Sequence, residues 1–148
     1  MQGTITRYQF SKIIDAPLSF VYDWCTDYRE DDPQITGAKL RRLIIEKNKD
    51  RAVFINQHKS AKAGMVINIV TLRPPDGWHL NLISEERDGT GEYRLRKLGP
   101  RSTKLHIFLK FKWKMARSPT RTEFHQHLNS MWAKYAAALE RDYMKNKI

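Results

Sequence analysis

Cysteine occurs once in the 148 residues, at Cys25. A single thiol excludes an internal disulfide and any multi-cysteine metal site, and it fits a reducing cytoplasm. Glycine and proline are sparse, seven and six residues, and they are spread between apolar stretches, so no linker or low-complexity tail is marked. No run approaches the ~20 apolar residues of a membrane span. The first ten residues, MQGTITRYQF, lack the basic-then-apolar order of a secretory signal, so a cytoplasmic protein is expected. A glycine-rich phosphate loop is also missing, and GTG at 89–91 reads as hairpin chemistry. Acidic residues are few, 16 against 27 Lys and Arg, which gives a net charge of +11. That excess favours something anionic, a phospholipid surface, nucleic acid or an acidic ligand, over any cationic partner; a well-solvated basic surface is the plainer explanation.

The length suits one domain, 1–148, able to bury roughly 68–70% of the surface its unfolded chain exposes. Tyr8, Phe10, Lys12 and Ile14 alternate with Gln9, Ser11 and Ile13, a strand with one mostly apolar face. Asp15 then stands where a helix cap is needed, with Pro17 in the first turn. Phe20, Val21, Trp24 and Cys25 fall on one helical face. A second short helix is expected from Asp32, with Pro33 in its first turn.

From Ala38 onward the period is that of strands. KLRRLIIEK, RAVFINQH, MVINIVTLR, WHLNLISEE, EYRLRKL and TKLHIFLKFKWK are separated by NKD, KSAKAG, PPDG, DGTG and GPRS. Such separators are turn chemistry, and short turns between consecutive strands require an antiparallel meander. Leu105, Ile107, Leu109, Phe111 and Trp113 take one face of the last strand, against His106, Phe108, Lys110, Lys112 and Lys114 on the other. After Pro119 the spacing of Phe124, Leu128, Met131, Tyr135, Leu139 and Tyr143 is helical, with Thr120 and Glu123 at capping-box distance. This closing helix has one apolar stripe, and the dry face of the sheet is the surface large enough to receive it.

The order of strand, two short helices, about six antiparallel strands and a long final helix resembles the helix-grip fold of the START-related superfamily, also called SRPBCC. IDAPLSFVYDWCTD at 14–27 is similar to the N-terminal signature of that group, an Ile/Val-Asp-Ala-Pro corner followed by Val-Tyr/Trp and Thr-Asp. The superfamily includes lipid-transfer domains, pollen allergens, polyketide cyclases and dehydratases, coenzyme Q-binding proteins and chaperone ATPase activators. The resemblance implies an α+β domain in which a curved antiparallel sheet of about seven strands wraps the C-terminal helix. It also implies a hydrophobic cavity between them. The matched residues Asp15, Ala16, Pro17, Val21, Tyr22 and Asp27 read as structural, turning the corner and seating the helix.

The lining expected for that cavity is Trp24 from the first helix, Leu80, Leu82, Tyr93, Leu95, Ile107, Leu109, Phe111 and Trp113 from the sheet, and Phe124, Leu128, Met131, Trp132 and Tyr135 from the last helix. Taken singly each is more often plain core. Together their Trp, Tyr and Met content favours a ligand pocket, because these side chains adapt and carry polar or polarizable atoms. A second candidate surface is a basic face of Arg42, Arg94, Arg96, Lys110, Lys112 and Lys114, which would suit anionic headgroups or, with salt-sensitive binding, nucleic acid. Phe108 is the one clear aromatic expected on it, a poor platform for base stacking.

Catalytic and metal motifs are scarce. His125 and His127 are two apart on a helix and point away from each other, and His58, His79 and His106 occupy separate strands. Glu30, Asp31 and Asp32 read as carboxylates favouring a helix N-terminus, and Cys25 as an inert buried thiol. No metal or cofactor is expected. The leading expectation is binding or transport of a lipid-like or aromatic small molecule, with docking on an anionic membrane as a further possibility. The alternatives are a cyclase or dehydratase, for which Tyr22, Tyr93 and Tyr135 would be the first residues to test, and a basic-face module for nucleic acid or protein.

Overall fold

A computed structural model describes residues 4–37, 39–58, 64–114 and 120–146. β1 (Thr4–Ile14) leads into α1 (Leu18–Thr26) and a short 3-10 helix (Asp32–Thr36). β2 (Leu40–Lys47), β3 (Arg51–His58), β4 (Met65–Arg73), β5 (Gly77–Ser84), β6 (Arg87–Gly99) and β7 (Ser102–Trp113) follow, then α2 (Arg121–Asn146). The seven strands form one antiparallel sheet in the order β1-β7-β6-β5-β4-β3-β2. This is the expected meander, closed by β1 pairing with β7, and the sheet curves around α2. Among the described residues no helix is long and apolar enough to cross a membrane.

The Asp-Ala-Pro corner is pinned from two sides. Ala16 is fully buried, and its carbonyl accepts a 2.8 Å hydrogen bond from the buried Thr103 hydroxyl of β7. The Asp15 N–H donates to Glu140 on α2 at 2.8 Å. Asp15 therefore does not cap α1 as expected; Pro17 holds the N-cap position without a side-chain cap, and the Val21 N–H closes the first turn on the Pro17 carbonyl. At α2 the expected cap is present, with the Glu123 N–H donating to Thr120 Oγ1 at 3.1 Å.

The NKD turn uses asparagine chemistry, the Asn48 side chain accepting from the N–H groups of Asp50 and Arg51. The turn expected at KSAKAG and the Pro119 break fall largely at 59–63 and 115–119, outside the described residues. DGTG is not a turn. Residues 88–91 belong to β6, and the chain reverses earlier, at 85–86, where the Ser84 hydroxyl donates to the Arg87 carbonyl and accepts from the Arg87 N–H.

Gly89 and Gly91 face inward because bulky neighbours cross them. A Cβ on Gly91 would stand 2.9 Å from a Leu109 methyl, and one on Gly89 would run into the Phe111 ring. These glycines serve close packing, with no left-handed backbone; Gly37 is the one described glycine with positive φ. Gly89→Ala should therefore cost about 1–3 kcal/mol through displacement of Phe111. Urea denaturation showing unchanged stability would refute that crowding.

Candidate functional site

Two aromatic groups occupy the space between sheet and helix. The first gathers at the α1 end. Trp78 and Tyr93, register partners on β5 and β6, stack nearly parallel at 5.0 Å. Trp132 lies 6.0 Å from Tyr93 and 5.2 Å from Tyr135, and Tyr135 meets Trp24 at 6.4 Å, centroid to centroid. Tyr22 caps Trp78 edge-on, and Tyr28 stacks on Phe54 at 4.9 Å. The second group, at the N-terminal end of α2, joins Tyr8, Phe111, Trp113 and Phe124 at 5.0–5.9 Å. From Phe124 to Tyr135, along one face of α2, is roughly 16 Å at 1.5 Å per residue.

The residues expected to line a cavity, Leu82 apart, are in or against this interior. Leu82, Tyr93, Leu95, Ile107, Leu109, Phe111, Trp113, Leu128 and Trp132 are buried, and Trp24, Leu80, Phe124, Met131 and Tyr135 are half-buried. The side chains close on one another here. Beside them, a pocket of about 530 Å³ opens between α1, the 3-10 helix and the end of α2, with Phe20, Trp24 and Ile35 as its apolar wall. Its rim carries Asp23, Asp27, Asp31, Asp32 and Asp142 against Arg29 and Lys145. Trp24 separates this pocket from the interior, and its indole N–H donates to Asp142 at 2.8 Å.

Arg42 departs from the basic face to which it was assigned. On the edge strand β2, Leu43 and Ile45 are the exposed residues, and the period of two turns Arg42 inward with Ile44. Its side chain is 9% exposed, donates to Asp32 at 2.8 Å and to Asn56 Oδ1 at 3.0 Å, and lies 4.2 Å over the Phe54 ring. Asp32 is thus more than a helix-terminal carboxylate; despite Arg42 beside it, burial pushes its carboxyl above the usual range. Sequence reasoning missed the pair because LRRLII has apolar residues in both phases.

Arg94, Arg96, Lys110, Lys112 and Lys114 are exposed, as expected, on the outward face of β6 and β7, with Phe108 among them. Asp88 tempers the charge, pairing with Lys114 at 2.8 Å and standing opposite Lys112. The basic face does not extend across β2–β5, where the outward row Leu43, Ile55, Ile67 and Ile83 is apolar and in register.

Burial raises the phenols of Tyr8, Tyr22, Tyr28, Tyr93 and Tyr135, and it raises the Cys25 thiol. Since the folded phenols hold their protons longer than the unfolded ones, their contribution to stability is complete below pH ~10 and declines as pH rises beyond it. Ultraviolet titration should then show most of the six tyrosines ionising together with alkaline unfolding. Independent ionisation near pH 10 in the folded state would contradict their burial. Among the described residues no group of three or more His, Cys, Asp or Glu side chains could hold a metal ion.

No family model and no curated protein matches the sequence. Solved structures do. The Zhui aromatase/cyclase from Streptomyces sp. R1128 is 14% identical, with a TM-score of 0.72 over 98% of this chain and 97% of that one. Ara h 8.0201 is 14% identical, with a TM-score of 0.73 over 96% of this chain and 99% of its own. A START superfamily protein from Mycobacterium smegmatis is 16% identical, with a TM-score of 0.67 over 94% and 97%. These likenesses bear out the START-related resemblance at the level of fold.

Proposed function

We propose that this helix-grip protein binds a hydrophobic small molecule, lipid-like or aromatic, between its sheet and α2, as a carrier or sensor. The observation that supports this most is the pocket of about 530 Å³ against Trp24, behind which lies the aromatic series Tyr135, Trp132, Tyr93 and Trp78. That pocket lies outside the interior, between α1, the 3-10 helix and the end of α2, and supports the reading as the mouth through which a ligand would pass. Entry requires Trp24 and Tyr135 to part, and the Trp24–Asp142 hydrogen bond is the exposed contact that would open. Solved structures of the same fold include an aromatase/cyclase and a START superfamily protein. The cytoplasm is the proposed setting, supported by the single unpaired Cys25.

Titration of delipidated protein with the neutral dye Nile red tests this reading. Saturable one-to-one uptake, weakened when Leu80→Trp fills the interior, is the expected result. Absence of saturable uptake in the wild type would overturn it.

Contact with an anionic bilayer forms part of the same proposal, through the outward Arg94, Arg96, Lys110 and Lys112. Each such residue near the surface is worth about 1 kcal/mol. Sedimentation with phosphatidylserine vesicles should occur at low salt and fade at high salt; salt-insensitive or absent binding removes this part.

A second reading, a cyclase or dehydratase, is favoured by Tyr93 and Tyr135 within the interior. With raised pKa values these phenols are proton donors at neutral pH, suited to stabilising a developing enolate and unsuited to acting as bases. Turnover of a poly-β-ketone substrate that is lost in Tyr93→Phe supports it, and unchanged turnover in that variant excludes Tyr93.

A further inference from the structure

Arg87 is a cation on the inner face of the sheet. Gly89, Gly91, Tyr93 and Leu95 are the buried residues of β6, and the period of two turns Arg87 the same way. Its guanidinium carbon lies 5.0 Å from the ring centre of Phe111, 5.4 Å from Trp113 and 5.6 Å from Phe124. Among the described residues the buried Arg87 Nε has no hydrogen-bond partner, and neither has the indole nitrogen of Trp113, its register partner on β7. The Tyr8 hydroxyl, also buried, belongs to the same group, with the Thr6 side chain beside it. The ion-pair partner of Arg87 among the described residues is Glu86, 3.8 Å away with a side chain 62% exposed.

Taking a guanidinium out of water is costly unless an anion or full hydrogen bonding replaces the hydration. Ring faces attract the charge but leave the directional N–H groups unused. Buried donors without acceptors are rare enough in folded proteins to call for an explanation. Here three donors, from Arg87, Trp113 and Tyr8, share one aromatic group at the start of α2, where the helix dipole also favours negative charge. At the opposite end of the interior, the aspartates of the pocket rim already hold cations, Asp32 with Arg42, Asp27 with Lys47 and Asp31 with Arg29, which leaves less positive charge for an anionic group there.

We propose that the ligand is an amphiphile with an anionic head, a long-chain carboxylate, and that Arg87, Trp113 and Tyr8 receive its carboxylate. Its apolar body lies along α2 from Phe124 toward Tyr135. The assignment rests on the ligand-binding function proposed above and adds the chemical class and orientation of the ligand. Arg87 is 21% exposed in its side chain, so the head group meets solvent at this end while the tail is buried.

Competition against Nile red, with oleate and oleyl alcohol as probes on delipidated protein, tests it. Oleate should bind at least tenfold more tightly than oleyl alcohol in the wild type. Arg87→Met should bring the ratio of oleate to oleyl alcohol affinity to about one, and Arg87→Lys should keep part of the preference. Trp113→Phe, which removes the indole N–H and keeps a ring, should lower the ratio of oleate to oleyl alcohol affinity severalfold; it serves as the second variant if Arg87→Met does not fold. Equal affinity for the two probes, or a preference that survives both Arg87→Met and Trp113→Phe, overturns the carboxylate site while Nile red uptake keeps the broader function. Failure of Nile red and of both probes in the wild type overturns both.

Discussion

Arg42→Met is expected to destabilise the fold by about 3–5 kcal/mol, the cost of leaving one partner of a buried ion pair alone. Three interactions end together: the 2.8 Å bond to Asp32, the 3.0 Å bond to Asn56 and the stacking 4.2 Å over Phe54. The larger part of the loss is the Asp32 carboxylate, already pushed above its usual range by burial and then deprived of its cation. The double variant Asp32→Asn, Arg42→Met should recover half or more, because no uncompensated charge remains. The pH dependence separates this from simple loss of packing. A folded carboxyl raised above its unfolded value favours the protonated form, so the deficit of Arg42→Met should shrink as pH falls from 7 toward 4. A deficit constant with pH, in urea denaturation of both proteins, would assign the effect to packing.

Trp132→Ala carries the second large effect, again about 3–5 kcal/mol. Trp132 bridges Tyr93 and Tyr135 at 6.0 and 5.2 Å, and α2 and β6 cannot close the gap left by an indole without moving backbone. The stability loss should come with a functional gain, because the space lies where the ligand is proposed to sit. Nile red capacity or affinity should rise in the variant at temperatures where it remains folded. A destabilised variant with reduced uptake would show that Trp132 is a contact and not an obstruction.

The fold was legible wherever a period ran unbroken. β7 keeps strict alternation from Leu105 to Trp113, so its inward and outward sets could be read directly, and α2 keeps its stripe from Phe124 to Tyr143. Both assign residues to faces without knowledge of any neighbour. The Gly-Thr-Gly segment was misleading for a physical reason: a glycine permits a turn or permits close approach, and the choice here depends on Phe111 and Leu109 in another strand. Beginning β6 at Glu92, when it starts at Arg87, also hid Arg87, which the alternation of Tyr93 and Leu95 would have turned inward had the strand been extended. Arg42 escaped because an edge strand with apolar residues in both phases has no single apolar face. The inward position of Trp78, on the same phase as Leu80 and Leu82, was legible, but its stacking on Tyr93 depended on the β5–β6 register.

Native mass spectrometry of protein purified without detergent or organic solvent tests the central claim most directly. The account predicts a population carrying one non-covalently bound small molecule, lost on solvent extraction and restored one-to-one by oleate. A single bare mass before and after extraction, with no uptake of oleate, would contradict it.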